Sequence, residues 1–219
     1  MLKGIIFDLD GVILDTEKLY TKFWVEAANA CGYPMKEEHV LGIRSLATQY
    51  AAEKLKREVC SDFDIMRVKQ LRIKLMSDYV NKYGVEAKPG AYEALKYINE
   101  HHVPCALATA TPYERAKSML ESVGLFDSFN KIACAYMVKH GKPKPDVYIF
   151  AAGLLQISPI DCMAVEDSPN GIMSAYEAGC KTVMIPDSTL PDDDIKEILF
   201  DQCNSLFELT KIIEREFLQ

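Results

Sequence analysis

The chain has 219 residues, a length that suits one domain or a core domain that carries an insertion. Its 25 basic and 32 acidic residues give a net charge of -7, which argues against a nucleic-acid-binding protein, because such proteins need a basic surface. We find neither a signal peptide nor a run of about 20 apolar residues, so we expect a cytoplasmic protein with no membrane partner. Seven scattered cysteines without a C-x-x-C pair indicate reduced thiols in the core.

The N-terminal part of the chain predicts one strand followed only by helices. Residues 3–8 form a short apolar run, which is typical of a buried strand. Asp15 and Thr16 can cap the helix that follows them. We expect a second helix from about Ser45. A third is expected over about 62–83, where apolar residues recur at helical spacing.

From Pro89 onward, strands and helices alternate. Strands are predicted at 105–109, 131–134, 162–166 and 181–185, and helices at about 91–101, 113–123, 145–155 and 171–178. This alternation predicts an α/β fold with a doubly wound parallel sheet that helices cover on both faces. The first strand can join that sheet only if residues 15–86 form an excursion. We therefore predict a core of residues 1–14 and 87–219 with an inserted helical cap of residues 15–86.

Chemically useful side chains fall at the carboxyl ends of these strands, where open parallel sheets bind their ligands. They come from four separate segments of the chain: Asp8 and Asp10, Thr109, Lys142, and Glu166 with Asp167. Chance could place one such group at a strand end, but chance alone would rarely place all of them there. The constellation therefore predicts a site at this edge of the sheet.

The residue types indicate phosphoryl transfer. Carboxylates of Asp8 and Asp167 are hard oxygen ligands that suit Mg²⁺, which would offset repulsion between Asp8 and a phosphate. Asp8 can then attack phosphorus and form an aspartyl-phosphate. Asp10 can protonate the leaving oxygen and later activate water. Lys142 and Thr109 can contact the phosphoryl oxygens as a positive charge and a neutral donor.

These segments resemble the four motifs of the haloacid dehalogenase superfamily. Residues 7–12 resemble the first motif, in which the leading aspartate is the nucleophile. Residues 107–111, 141–146 and 165–168 resemble the other three in order. With acids at both Asp8 and Asp10, this first motif resembles that of the phosphotransferase members, since dehalogenases usually lack the second acid.

The resemblance also implies ligands that the residues alone do not establish. It places Mg²⁺ on Asp8, the main-chain carbonyl of Asp10 and Asp167, with Glu166 nearby or bound through water. It further suggests a cis peptide bond at Lys142–Pro143. The substrate contacts that we expect are Gly11, Arg44, Ala110 and Thr111. Gly11 would also let the backbone turn tightly beside the metal.

Within the superfamily, the chain resembles the branch that contains β-phosphoglucomutase and small sugar-phosphate phosphatases. Mutase members typically carry a histidine at about the position of Tyr20. The sequence therefore predicts a phosphatase for a small phosphorylated metabolite, with a phosphoglucomutase-type isomerase as the alternative. A non-catalytic binding protein of the same fold is a third hypothesis, against which the intact acids argue. We further expect a monomer or weak dimer, and hinges near 14–16 and 87–90.

Overall fold

The computed structural model describes residues 2–217. Its six strands are β1 (Gly4–Phe7), β2 (Cys105–Thr109), β3 (Lys131–Cys134), β4 (Cys162–Glu166), β5 (Lys181–Met184) and β6 (Asp201–Gln202). They form one sheet in the order β3-β2-β1-β4-β5-β6, and every neighbouring pair is parallel. The predicted parallel sheet is confirmed. The sequence did not predict β6, because two residues are too few to show a periodic pattern.

Ten α-helices lie within residues 2–217. They are α1 (Glu17–Ala30), α2 (Glu37–Leu41), α3 (Thr48–Glu58), α4 (Ile65–Tyr83), α5 (Ala91–Glu100), α6 (Tyr113–Ser122), α7 (Asp146–Leu154), α8 (Pro169–Glu177), α9 (Asp193–Ile198) and α10 (Leu206–Phe217). The sequence analysis did not predict α2, α9 and α10. In the part of the chain that the structure describes, no helix has both the length and the apolar character needed to cross a bilayer.

The two faces of the sheet are buried by different helices. Neighbouring residues of a strand point to opposite faces. Accordingly, Ile5 and Phe7 lie in a core cluster with side chains of α5 and α10, such as Leu95 and Leu209. Ile6 lies in a second cluster together with side chains of α7 and α8. Helices therefore cover both faces, as predicted, and the site residues can be reached only at the ends of the strands.

Helices α1 to α4 all lie between β1 and β2 along the chain. Their buried side chains form two clusters built from the insertion alone, centred on residues such as Leu55 and Phe63, and on Phe23 with Met76. The two connections to the sheet run side by side: Asp15 N donates to Glu86 O at 2.8 Å, and Lys88 N to Ile13 O at 2.8 Å. These observations support a helical cap, and its boundaries at residues 15 and 86 stay a prediction.

Candidate active site

The carboxyl ends of β1, β2 and β4 bring the predicted residues to one edge of the sheet. Asp8 directly follows β1, Thr109 ends β2 and Glu166 ends β4. The side chains of Asp8, Glu166 and Asp167 are buried, and a carboxylate oxygen of each lies within 4.8 Å of the others. We call these three residues the acid cluster. Their convergence follows from the parallel pairing, which aligns Phe7 with Val165.

Lys142 joins two members of the acid cluster. Its Nζ donates to Asp8 Oδ1 at 2.6 Å and to Glu166 Oε1 at 2.6 Å, and its side chain is only 1% exposed. Burial lowers the pKa of Lys142, but the adjacent carboxylates of Asp8 and Glu166 outweigh it and raise the pKa above its ordinary value. The ammonium therefore stays charged. The Lys142–Pro143 peptide bond is cis, as the resemblance suggested.

Glu166 accepts more donors than the sequence indicated. Tyr148 on α7 donates its hydroxyl to Glu166 Oε1 at 2.7 Å. The backbone N–H of Asp167 and the hydroxyl of Ser168 donate to Glu166 Oε2 at 3.1 and 3.3 Å. These bonds hold the carboxylate in one orientation against Lys142. We did not predict Tyr148, because a tyrosine within an apolar helix gives no signal that its hydroxyl meets a carboxylate.

Asp10 is held by hydroxyl groups. Thr16 Oγ1 donates to Asp10 Oδ1 at 2.6 Å, and Thr111 Oγ1 donates to Asp10 Oδ2 at 2.7 Å. The Tyr20 hydroxyl lies 3.0 Å from Thr111 Oγ1 and extends this chain of hydrogen bonds into the cap. Thr16 stands at the N-cap position of α1 but makes no side-chain capping bond, so its predicted capping role is wrong. Its hydroxyl is engaged by Asp10 instead.

Thr109 and Gly11 shape the backbone around the acids. The Thr109 hydroxyl accepts the backbone N–H of Thr111 at 2.9 Å, which fixes the turn after β2. Gly11 has φ +86°, and a Cβ atom there would overlap the carboxylate of Asp167. Glycine suits position 11 because it adopts this left-handed backbone conformation without strain and lets the two segments approach closely.

Arg44, which we expected to contact the substrate, reaches the acid cluster from the cap. Its guanidinium donates to Glu17 Oε2 at 2.8 Å and to Thr189 Oγ1 at 3.0 Å, and it contacts Asp167 Oδ2. Burial raises the pKa of Glu17 to about 7, while the Arg44 charge opposes that rise. Arg44 therefore ties the cap to the metal-ligating position predicted at Asp167. Its role as a substrate contact stays a prediction.

The acid cluster has the properties that a divalent cation requires. Burial raises the pKa of Asp8 to about 8 against the opposing charge of Lys142, and it raises the pKa of Asp167 well above its ordinary value. Among residues 2–217, Asp167 Oδ1 is buried without a hydrogen-bond partner. An unpaired buried oxygen is costly, and a bound cation would satisfy it. The oxygen-only donor set fits the magnesium ion that the sequence predicts.

A cavity of about 640 Å³ opens beside the acids. It is lined by Asp8 and Asp10, by the expected substrate residues Arg44, Ala110 and Thr111, and by side chains of α1, α3 and α4. This volume suits a small-molecule substrate. Because the lining comes from both the sheet edge and the insertion, the cap forms one wall of the cavity. The fold and site thus define an α/β enzyme with a buried acid cluster beneath a helical cap.

Comparisons with known proteins agree with that class. The family model of haloacid dehalogenase-like hydrolases matches residues 5–185. The chain is 31% identical over 199 residues to the probable pseudouridine-5'-phosphatase of Drosophila melanogaster, covering 86% of this chain and 83% of that protein. It is 29% identical over 189 residues to hexitol phosphatase A of Escherichia coli, covering 84% and 82%. The structure resembles β-phosphoglucomutase from Clostridium difficile with a TM-score of 0.83 at 20% identity, covering 100% of this chain and 98% of that one.

The chain therefore belongs to the haloacid dehalogenase-like hydrolase family. Its phosphatase relatives make it an enzyme of the phosphatase class. The likeness to the mutase structure shows the shared fold.

Proposed function

We propose that this chain is a Mg²⁺-dependent phosphatase that hydrolyses a small phosphorylated metabolite, a sugar or polyol phosphate, through an aspartyl-phosphate on Asp8. The observation that carries the proposal is the buried contact of Lys142 with Asp8 and Glu166, next to Asp167 and at the edge of a cavity that also contains Asp10. The names of the two phosphatase relatives support the substrate class.

Asp8 is suited to act as the nucleophile. Its Oδ1 accepts from Lys142, which leaves Oδ2 to attack phosphorus. The bond from this oxygen to phosphorus forms as the bond to the leaving alkoxide breaks. Lys142 then lies next to the phosphoryl group, where its charge stabilises the negative oxygens. The Thr109 side chain and the turn that it holds after β2 would contact the same group.

Asp10 is suited to carry the proton. Thr16 and Thr111 hold both of its oxygens, so the carboxyl group keeps one orientation beside Asp8. In the first half-reaction it protonates the leaving oxygen of the substrate. In the second it removes a proton from the water that attacks the aspartyl-phosphate, which releases phosphate and restores Asp8.

Asp8, Glu166 and Asp167 of the acid cluster, together with Asp10, would hold the metal ion. Asp167 Oδ1 is the oxygen that lacks another partner among the described residues. When bound, Mg²⁺ would supply positive charge that keeps Asp8 ionised and offsets the charge of the phosphoryl oxygens. Without such a cation, burial favours the neutral form of the Asp8 carboxyl at neutral pH.

The test is phosphate release from a panel of sugar, polyol and nucleoside monophosphates in the presence of Mg²⁺. We expect release that disappears with EDTA and in the Asp8→Asn protein. Acid quenching during turnover, followed by mass spectrometry of the peptide that contains Asp8, should detect one added phosphoryl group. A fully active Asp8→Asn protein would refute the mechanism.

The mutase alternative can be tested with the same protein and the same panel of substrates. In place of the histidine that mutase members typically carry, Tyr20 presents a hydroxyl bonded to Thr111. That arrangement favours hydrolysis, since nothing basic at Tyr20 assists a second sugar hydroxyl. Isomerisation of a sugar phosphate that depends on added bisphosphate, with little free phosphate, would identify a mutase instead.

A further inference from the structure

The cavity contains two arginines that the proposed chemistry does not use. Arg72 on α4 and Arg115 on α6 both line it. Their guanidinium carbons lie 4.9 and 5.7 Å from the centre of the Tyr20 ring, and Arg72 also lies 5.2 Å from the centre of the Trp24 ring. The two positive charges therefore share one aromatic wall of the cavity.

Neither arginine has a carboxylate partner. Within residues 2–217, no salt bridge involves Arg72 or Arg115, and Arg72 Nε and Arg115 Nη2 are buried without a hydrogen-bond partner. Arg72 is only 5% exposed. Glu114 also lines the cavity, but its side chain is exposed and does not pair with the neighbouring Arg115. The acids at the sheet edge instead bond to Lys142, Arg44 and hydroxyl groups.

The aromatic contacts do not account for a buried charge at this place. A cation–π contact stabilises a cation only modestly, even when the contact is desolvated. Burial of an unpaired ion costs more than such a contact returns, and two guanidinium groups beside one ring repel each other in addition. Burial lowers the pKa of Arg72, as does the charge of Arg115. A structural stacking role would therefore leave a net cost that an anionic ligand would remove.

Lys69 adds a third positive group to the same wall. It lines the cavity from α4, one helical turn before Arg72, and its Nζ donates to Thr48 Oγ1 at 2.7 Å. Guanidinium groups bind phosphate and carboxylate oxygens through paired N–H donors, so two arginines and a lysine suit such a group well.

We propose that Arg72 and Arg115 form a second anion-binding subsite, so that the preferred substrate is a phosphate monoester carrying another anionic group, a carboxylate or a second phosphate. This inference rests on the proposed phosphatase function and names the substrate class of the same cavity. One end of the substrate would meet Asp8 and Lys142, and its other anionic group would pair with the two guanidinium groups. Substrates that lack the second charge would leave both arginines unpaired.

The experiment compares three substrates with the same six-carbon chain: glucitol 6-phosphate, 6-phosphogluconate and glucitol 1,6-bisphosphate. Initial rates of phosphate release in Mg²⁺ give kcat/KM for each. We expect kcat/KM for at least one of the two substrates with a second anionic group to exceed that for glucitol 6-phosphate by about 10-fold or more. The reason is that charge-assisted hydrogen bonds discriminate on that scale. Whichever of the two is favoured identifies the second group as carboxylate or phosphate.

Variants then assign that preference to the arginines. The ratio compared is kcat/KM for the favoured substrate with a second anionic group, divided by kcat/KM for glucitol 6-phosphate. In Arg72→Gln and in Arg115→Gln, this ratio should fall to within about 3-fold of one. Arg115 is only half-buried, so its variant keeps the test possible if Arg72→Gln does not fold, as judged by thermal melting. Arg67→Gln, on the exposed face of α4, is the matched control and should keep the wild-type ratio.

The outcomes separate this inference from the proposed function. Equal kcat/KM for all three substrates in the wild-type protein would overturn the second subsite and leave the phosphatase intact. A preference that both arginine variants retain would also overturn it. If no substrate of this set or of the wider panel releases phosphate, the proposed function itself fails.

Discussion

Replacing Lys142 by methionine should destabilise the protein and inactivate it. The substitution keeps an unbranched side chain of similar length but removes the ammonium that bonds to Asp8 and Glu166 at 2.6 Å each. Two buried carboxylates then lose their shared cation. Removing one partner of a buried ion pair costs about 3–5 kcal/mol. For a protein of this size, that corresponds to a decrease in Tm of roughly 6–20 °C.

The same substitution acts on catalysis through Asp8. Burial already raises the pKa of this carboxyl, and Lys142 is the charge that opposes the rise, so its removal should raise the pKa further. A protonated carboxyl is a poor nucleophile, and the phosphoryl oxygens lose a positive neighbour. We expect kcat to fall by at least about 10³-fold.

The assay pairs thermal melting in EDTA with phosphate release in Mg²⁺. Lys144→Met, two residues further along the same loop, is the matched control because its side chain is exposed and forms no salt bridge among the described residues. It should keep both Tm and kcat. A Lys142→Met protein that melts within about 1 °C of the wild type and keeps its kcat would refute the electrostatic account of the acid cluster.

Three further results are expected. Tyr148→Phe removes a buried donor from a carboxylate and should lower stability by about 1.5–3 kcal/mol in denaturant titration, whereas exposed Tyr176→Phe should not. Gly11→Ala places a methyl group against Asp167 and should weaken Mg²⁺ binding by about 10-fold or more in calorimetry. Gly124→Ala, also at positive φ but in open space, is its control, and equal binding in both would contradict the clash. Mg²⁺ at about 100 times its Kd should raise Tm by roughly 5–11 °C, and Asp167→Asn should abolish that shift.

The sequence predicted the class of fold and which acids meet at one edge of the sheet. Alternating strands and helices after Pro89 determined the parallel sheet, because each pattern is local and periodic. The acids that follow β1 and β4 were then placed together by a general property of such sheets. Helix α10 was missed even though Leu206, Leu209 and Ile213 recur at helical spacing and are buried.

Residues outside the motifs could not be assigned from the sequence in the same way. The apolar residues of α4 predicted a packed stripe, and nothing in that pattern distinguished Arg72 from the solvated lysines and arginines of the same helix. Whether a long charged side chain is buried depends on what other elements place beside it. Here Tyr20 and Trp24 of α1 and Arg115 of α6 provide those surroundings.

The sequence by itself therefore determined the parallel sheet, the helical insertion and the order of the acidic segments along it, because strand periodicity and motif spacing are local properties of the chain. Only the tertiary structure decided which donors each carboxylate receives. It brought Tyr148 to Glu166, Thr16 to Asp10 and Arg44 to Asp167. The local sequence pattern does not indicate these contacts, because it does not specify which side chains meet in the folded chain. The physical reason is that hydrogen bonding and burial of a charge are properties of the packed surroundings of a side chain.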